Sequence, residues 1–381
     1  MIRVCMIGVG LGGLFACSAP PRGWVVELHG SVLDSQGLGV VGALAEVDNV
    51  ENGEFLGQVV TDENGVWRLP VFVSEDDFEA ISPLRIAAEA SGMMRGESFW
   101  EFSWRDTEWP AMPISIGPGQ EVALGQQRTA GVVLFEEAGL GTASGRVRNA
   151  VNGGSLGQIT LRFRSGWNAP LSAEVVGETT SSSTGDFQIT LDDPGMYTVQ
   201  AEASGGFETT LAPIWAGSGS SKSQTILMSP ILQGEAMRAS LIWGSASRDL
   251  DLHMSGPLAA EGGRYQVYVS DTPHPIYGDP IAQVEHASGN WETIGAYTLR
   301  SGEYRFSAHD RENGQALDSV ELAAEQPTLL LWTNNGPIME SLSPGAVGTL
   351  WQAMEYDTSS GLSYRLQGMS EGEDEWDVSA F

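Results

Sequence analysis

The residues best suited to chemistry stand in one short run, Asp249-Leu250-Asp251-Leu252-His253. Side chains alternate along a strand, so Asp249, Asp251 and His253 share one face and Leu250 and Leu252 the other. Two carboxylates and an imidazole in a row suit a divalent cation, with Glu285, His286, His309 or Asp310 as partners from neighbouring strands. Oxygen donors dominate that set, so Ca2+ is expected ahead of Zn2+, and no other cofactor is expected. The plainer reading, and the preferred one, is a solvated strand face opposite a leucine core, its acids fixing turns by hydrogen bonds.

Other chemistries find less support. The five histidines, His29, His253, His274, His286 and His309, sit near no G-x-S-x-G elbow. Acidic residues are so frequent that paired carboxylates carry no glycosidase signal. Asp62-Glu63-Asn64-Gly65 lacks the alternating acids of an EF-hand loop and reads as a hairpin turn. Phe99-Trp100-Glu101-Phe102-Ser103-Trp104, with Trp109, is dense enough in rings to stack on a sugar. Alternation puts Trp100, Phe102 and Trp104 on one face, which a sandwich core would absorb. Gly8-Val9-Gly10-Leu11-Gly12-Gly13 fits the dinucleotide fingerprint, but that motif must open a helix, and Pro20-Pro21 stops one within two turns.

The whole composition narrows the class further. The net charge is −30 over 381 residues, with a single lysine, Lys222. Such a surface repels phosphate backbones, so no nucleic-acid partner is expected. Both cysteines, Cys5 and Cys17, lie at the N-terminus, which leaves the body without a cysteine-based metal site. Frequent Gly and Pro, and the lack of long amphipathic runs, point to an all-β chain of about two to three modules.

The N-terminus has the parts of a secretion signal. Arg3 is its positive end and residues 4–15 are apolar or Gly, too short for a membrane span. Leu14-Phe15-Ala16-Cys17 then resembles the lipobox of bacterial lipoproteins, although Phe15 is bulkier than that pattern prefers. The resemblance implies cleavage before Cys17, acylation of its thiol and, with Ser18 next, sorting to the outer membrane.

Downstream, strand-like alternation is punctuated by turns, and the plan occurs twice. Ala-Glu-Ala-Ser-Gly stands at 88–92 and again at 201–205; Gly30-Ser31-Val32 is matched by Gly145-Arg146-Val147, and Asn64-Gly65-Val66-Trp67 by Thr184-Gly185-Asp186-Phe187. Three landmarks in the same order argue for a duplicated module. They resemble the carboxypeptidase regulatory-like family, a transthyretin-like β-sandwich, over about half of the chain. The Asp of the first turn, Asp62, has no acidic counterpart in Ser181-Ser182-Ser183. A third unit carries Leu241, Trp243, Gly244, Asp249, Leu250, Asp251 and His253, then Gly302, Tyr304, Arg305 and His309. These resemble an uncharacterised β-rich domain of bacterial surface lipoproteins, with Gln283-Val284-Glu285-His286 departing from its acidic middle run.

The expected organisation is therefore a signal peptide at 1–16, an anchored linker at 17–23, Ig-like or transthyretin-like sandwiches at 24–137 and 138–232, a β-rich domain at 233–369, and an acidic tail at 370–381. The expected role is non-catalytic: a cell-envelope lipoprotein, periplasmic or surface-exposed, that binds membrane through its lipid and meets envelope proteins or glycans. Alternatives are a carbohydrate- or calcium-binding surface protein, and a metal-dependent hydrolase centred on Asp249, Asp251 and His253.

Overall fold

The structure is a computed structural model. It describes residues 23–34, 38–50, 53–74, 83–101, 114–117, 120–122, 124–128, 131–134, 139–218, 223–233, 236–244, 248–258, 263–269, 274–276, 279–313, 319, 321–342, 346 and 348–370. Cys17, Phe102, Trp104, Trp109 and the tail at 371–381 lie outside the described residues. The chain is all-β and divides into two compact units, Met1–Leu134 and Phe135–Phe381. Among the described residues no helix is long and apolar enough to cross a membrane.

The first unit contains β1 (Gly23–Asp34), β2 (Leu44–Asn49), β3 (Phe55–Val60), β4 (Val66–Ser74), β5 (Pro83–Glu89), β6 (Gly96–Glu101), β7 (Ile114–Gly117), β8 (Gln120–Val122), β9 (Leu124–Arg128) and β10 (Val132–Leu134). One layer runs β3-β2-β5-β6; the other pairs β1 with β4 antiparallel and with β9 and β10 parallel. Both layers contribute to one core, with Val26 and Leu28 of β1 and Trp67 of β4 against Val47 of β2, Ile86 of β5 and Trp100 of β6. Trp100 thus lies in the core, as its place in the alternation implies.

The second unit begins with a sandwich of the same plan. Its strands are β11 (Gly141–Asn149), β12 (Thr160–Ser165), β13 (Gly177–Thr180), β14 (Asp186–Leu191), β15 (Gly195–Glu202), β16 (Thr210–Ser218) and β17 (Ser223–Met228). The layer β13-β12-β15-β16 repeats β3-β2-β5-β6, and β11 between β14 and parallel β17 repeats β1 between β4 and β9. Seven strands of the first unit thus have counterparts in the second sandwich in the same order, while β7, β8 and β10 have none.

The hairpin expected around Asp62–Gly65 needs correction. The turn is tight, but β3 pairs with β2 and β4 with β1, so the turn carries the chain from one layer to the other. The same holds for β13 and β14. Gly65 and Gly185 have φ of 75° and 83°, and an added Cβ would stand 2.6 Å from the Val32 carbonyl oxygen and 2.8 Å from that of Val147. Positive φ and close backbone approach both require glycine there. Asp62 Oδ1 accepts the backbone N–H groups of Asn64 and Val66, each at 2.9 Å. Ser182 Oγ accepts those of Thr184 and Asp186 at 3.2 and 3.1 Å. A hydroxyl thus does the turn-fixing work of the missing carboxylate.

The third sandwich has strands β18 (Met237–Ile242), β19 (Leu250–Pro257), β20 (Arg264–Val267), β21 (His274–Ile276), β22 (Asp279–Ser288), β23 (Trp291–Ala296), β24 (Glu303–Asp310), β25 (Thr328–Thr333), β26 (Gly336–Ser341), β27 (Leu350–Asp357) and β28 (Leu362–Ser370), with a 3-10 turn at Arg311–Asn313 and a single α-helical turn, α1 (Glu321–Ala324), among the described residues. Its layers run β21-β22-β23-β18-β25-β26 and β20-β19-β24-β27-β28. Leu241, Leu250, Leu252, Phe306, Leu331 and Trp351 belong to the core between them.

The second and third sandwiches share a separate apolar cluster of Ala150, Leu227, Trp291, Leu330, Trp332 and Met339. The indole N–H of Trp291 and the hydroxyl of Thr293 both donate to the Ala150 carbonyl, at 3.2 and 2.8 Å. Arg238 extends the junction, donating to Ser229 Oγ and the Pro230 carbonyl while forming a buried ion pair with Glu285 at 2.5 Å. A buried guanidinium tolerates this position because fixed acceptors and a carboxylate replace its water.

Candidate metal centre

Strand β19 is buried on both faces, and this decides the character of the Asp-Leu-Asp-Leu-His run. Leu250, Leu252 and Met254 enter the core, as alternation requires. Asp251 and His253 point the other way, yet they are only 3% and 1% exposed. The solvated face expected from the sequence is therefore absent.

The neighbouring strand supplies the third residue. In the β19–β24 ladder Asp251 stands opposite His309 and His253 opposite Ser307, so these side chains share a face. Asp251, His253 and His309 each offer a ligand atom within 4.8 Å of the other two, and all three are buried. The two phrases singled out in the third sandwich, Asp249–His253 and Gly302–His309, thus fall on adjacent strands whose polar ends meet.

The other expected ligands are placed elsewhere. Asp249 precedes β19 and is exposed. Glu285 lies in the opposite layer, where it binds Arg238 and accepts the Tyr297 hydroxyl at 3.0 Å. Its strand belongs to the other sheet, so Glu285 is not part of the cluster. His286 stacks on Trp291 with ring centroids 4.4 Å apart. Asp310 follows His309 on β24 and so projects to the opposite face.

Two residues not singled out in the sequence orient His253. The side-chain amide nitrogen of Gln266 lies 2.7 Å from its Nδ1. Tyr268 stacks on the imidazole at 4.8 Å and 21° between planes. Their signal was the alternation of β20: Tyr265 and Val267 enter the core, which leaves Gln266 for the face that carries His253. His253 Nε2 is buried and has no hydrogen-bond partner among the described residues. Burial, with His309 and Arg311 nearby, pushes the His253 pKa down to about 3, so its ring is neutral at ordinary pH.

Glu292 supports β19 from the core side. It is 4% exposed and accepts the Leu252 N–H at 2.7 Å. Strand β20 reaches only as far as Met254, so this N–H has no strand partner and a side chain from the other layer serves instead. Burial raises the Glu292 carboxyl to about 8, and Asp251 and Asp249 add to the rise, while the Leu252 N–H opposes it.

No protein-family model matches the chain. No curated protein matches it. Several solved structures are similar at low identity. A streptococcal ancillary pilin is similar at 11% identity and a TM-score of 0.22, over 55% of this chain and 63% of that one. The chain thus spans less than two thirds of that pilin. The hydroxyquinol 1,2-dioxygenase of Pseudomonas putida DLL-E4 is similar at 14% identity and a TM-score of 0.20, over 33% and 65%. The major pilin subunit BcpA of Bacillus cereus is similar at 9% identity and a TM-score of 0.19, over 84% of this chain and 96% of that one.

Proposed function

We propose that this chain is a non-catalytic protein of a bacterial cell envelope, anchored through a lipid on Cys17, whose β-sandwiches serve as a structural or adhesive element. The observation that carries this reading is the junction between the second and third sandwiches. Domains within one chain move relative to each other by default unless their interface is apolar and well packed. Here Trp291, Trp332, Leu330 and Met339 pack with Ala150 and Leu227. The indole and hydroxyl bonds to Ala150 and the bonds from Arg238 to Ser229 and Pro230 fix the orientation. A body of this kind keeps its shape when held at a membrane, as a spacer or an adhesive arm must. The acidic surface adds solubility and disfavours nucleic-acid partners.

The test is mass spectrometry of the mature N-terminus from membranes of expressing cells. A diacylated Cys17 as the first residue is the expected result. A mature chain that retains residues 1–16, or one free in the soluble fraction without lipid, overturns the anchoring. Glycan arrays and cross-linking on intact envelopes then separate a sugar-binding role from a protein-binding one.

A further inference from the structure

We propose that Asp251, His253 and His309 bind a single zinc-class transition-metal ion between strands β19 and β24 of the third sandwich. The first support is convergence. Each residue offers one donor within 4.8 Å of the other two, from adjacent strands in fixed register. Bonds of about 2.1 Å at a tetrahedral ion need donors roughly 3.4 Å apart, so closure takes a side-chain movement on the order of an ångström.

The second support is His253 itself. It is 1% exposed, and its Nε2 lacks a hydrogen-bond partner among the described residues. Native proteins seldom bury a ring nitrogen in this way without a ligand for it. Gln266 completes the argument. The amide nitrogen of Gln266 stands 2.7 Å from Nδ1; a half-turn of the amide, which leaves its shape unchanged, puts the oxygen there to accept Nδ1–H. The lone pair then lies on Nε2. Metal-binding histidines characteristically use their second nitrogen this way, donating it to a carbonyl.

The donor set selects the ion. Two imidazoles and one carboxylate suit zinc and its borderline neighbours, whereas Ca2+ takes six or more oxygens. Expectation from the sequence favoured calcium because it counted Asp249 and Glu285, which are placed elsewhere. All three residues are buried, so the ion is shielded from bulk solvent, and water or a small ligand is the fourth donor.

The experiment uses the full chain without an affinity tag, stripped with chelator and titrated with Zn2+, Co2+ and Ca2+. One zinc ion per chain is expected, with visible d–d bands from Co2+ and no competition from Ca2+. Asp251→Asn and His309→Gln are expected to abolish binding. Gln266→Leu keeps every ligand and is expected to weaken binding by about 10–100-fold. Near-UV circular dichroism checks that each variant is folded, and the wild-type titration decides the matter even if one is not. Failure of the stripped wild-type chain to bind zinc overturns the proposal. So does a Ca2+ preference, or unchanged affinity in folded Asp251→Asn.

Discussion

His309 stands directly opposite Asp251 across the β19–β24 ladder, with His253 two residues further along β19 on the same face. Register alone therefore makes the cluster. A slip by one residue would send His309 into the core and Ala308 to the polar face. The arrangement costs stability unless its buried polar atoms are satisfied. Replacing both members of a buried polar pair by apolar groups of similar shape is often nearly neutral. The double variant His253→Leu/Gln266→Leu is expected to fall within about 1 kcal/mol of wild type in chelator. With free zinc at about 100 times Kd, wild type should gain about 2.7 kcal/mol and the variant none. Urea unfolding with and without zinc measures both.

Glu292 gives the metal-free protein a defined pH dependence. Its carboxyl is raised from 4.5 to about 8 by burial, so the folded chain holds a proton that the unfolded chain has released between those values. Its contribution is fully present below pH 4.5 and is lost as pH rises toward 8, with a slope of at most about 1.4 kcal/mol per pH unit. Glu292→Gln still accepts the Leu252 N–H and should flatten this dependence. Denaturant midpoints from pH 5 to 8, in chelator, decide it; parallel curves for the two proteins would refute it.

The junction between the second and third sandwiches predicts coupled unfolding. Trp332 is 1% exposed and packs in the shared cluster. Trp332→Ala should cost about 3–5 kcal/mol and leave a cavity in the cluster that Trp291, Leu330 and Met339 form with Ala150 and Leu227. Calorimetry should then resolve two transitions where wild type shows one for this unit. A single transition in the variant would mean that the cluster is not what couples them.

The turns at Asp62 and Ser182 predict interchangeability. Both side chains accept two backbone N–H groups in matching turns. Asp62→Ser should retain the thermal midpoint of the first unit better than Asp62→Ala, and Ser182→Asp should be tolerated in the second. Equal loss in Asp62→Ser and Asp62→Ala would show that the acceptor is not what matters.

Much of this architecture was legible from the sequence. Period-two alternation, Asn-Gly and Thr-Gly turns and the repeated landmarks fixed an all-β chain with a duplicated module, because these are local properties of strand and turn. The same locality put Asp251 and His253 on one face and Leu250 and Leu252 on the other. Tertiary structure alone decided what covered that face and which strands lay beside it. Burial of Asp251 and His253, the choice of His309 over Glu285 as neighbour, and the crossing of β3 and β4 into separate layers all depend on pairings between residues far apart in the chain. Alternation is set within a few residues, but register and sheet membership are set by the packing of the entire sandwich, so no short run of sequence contains them.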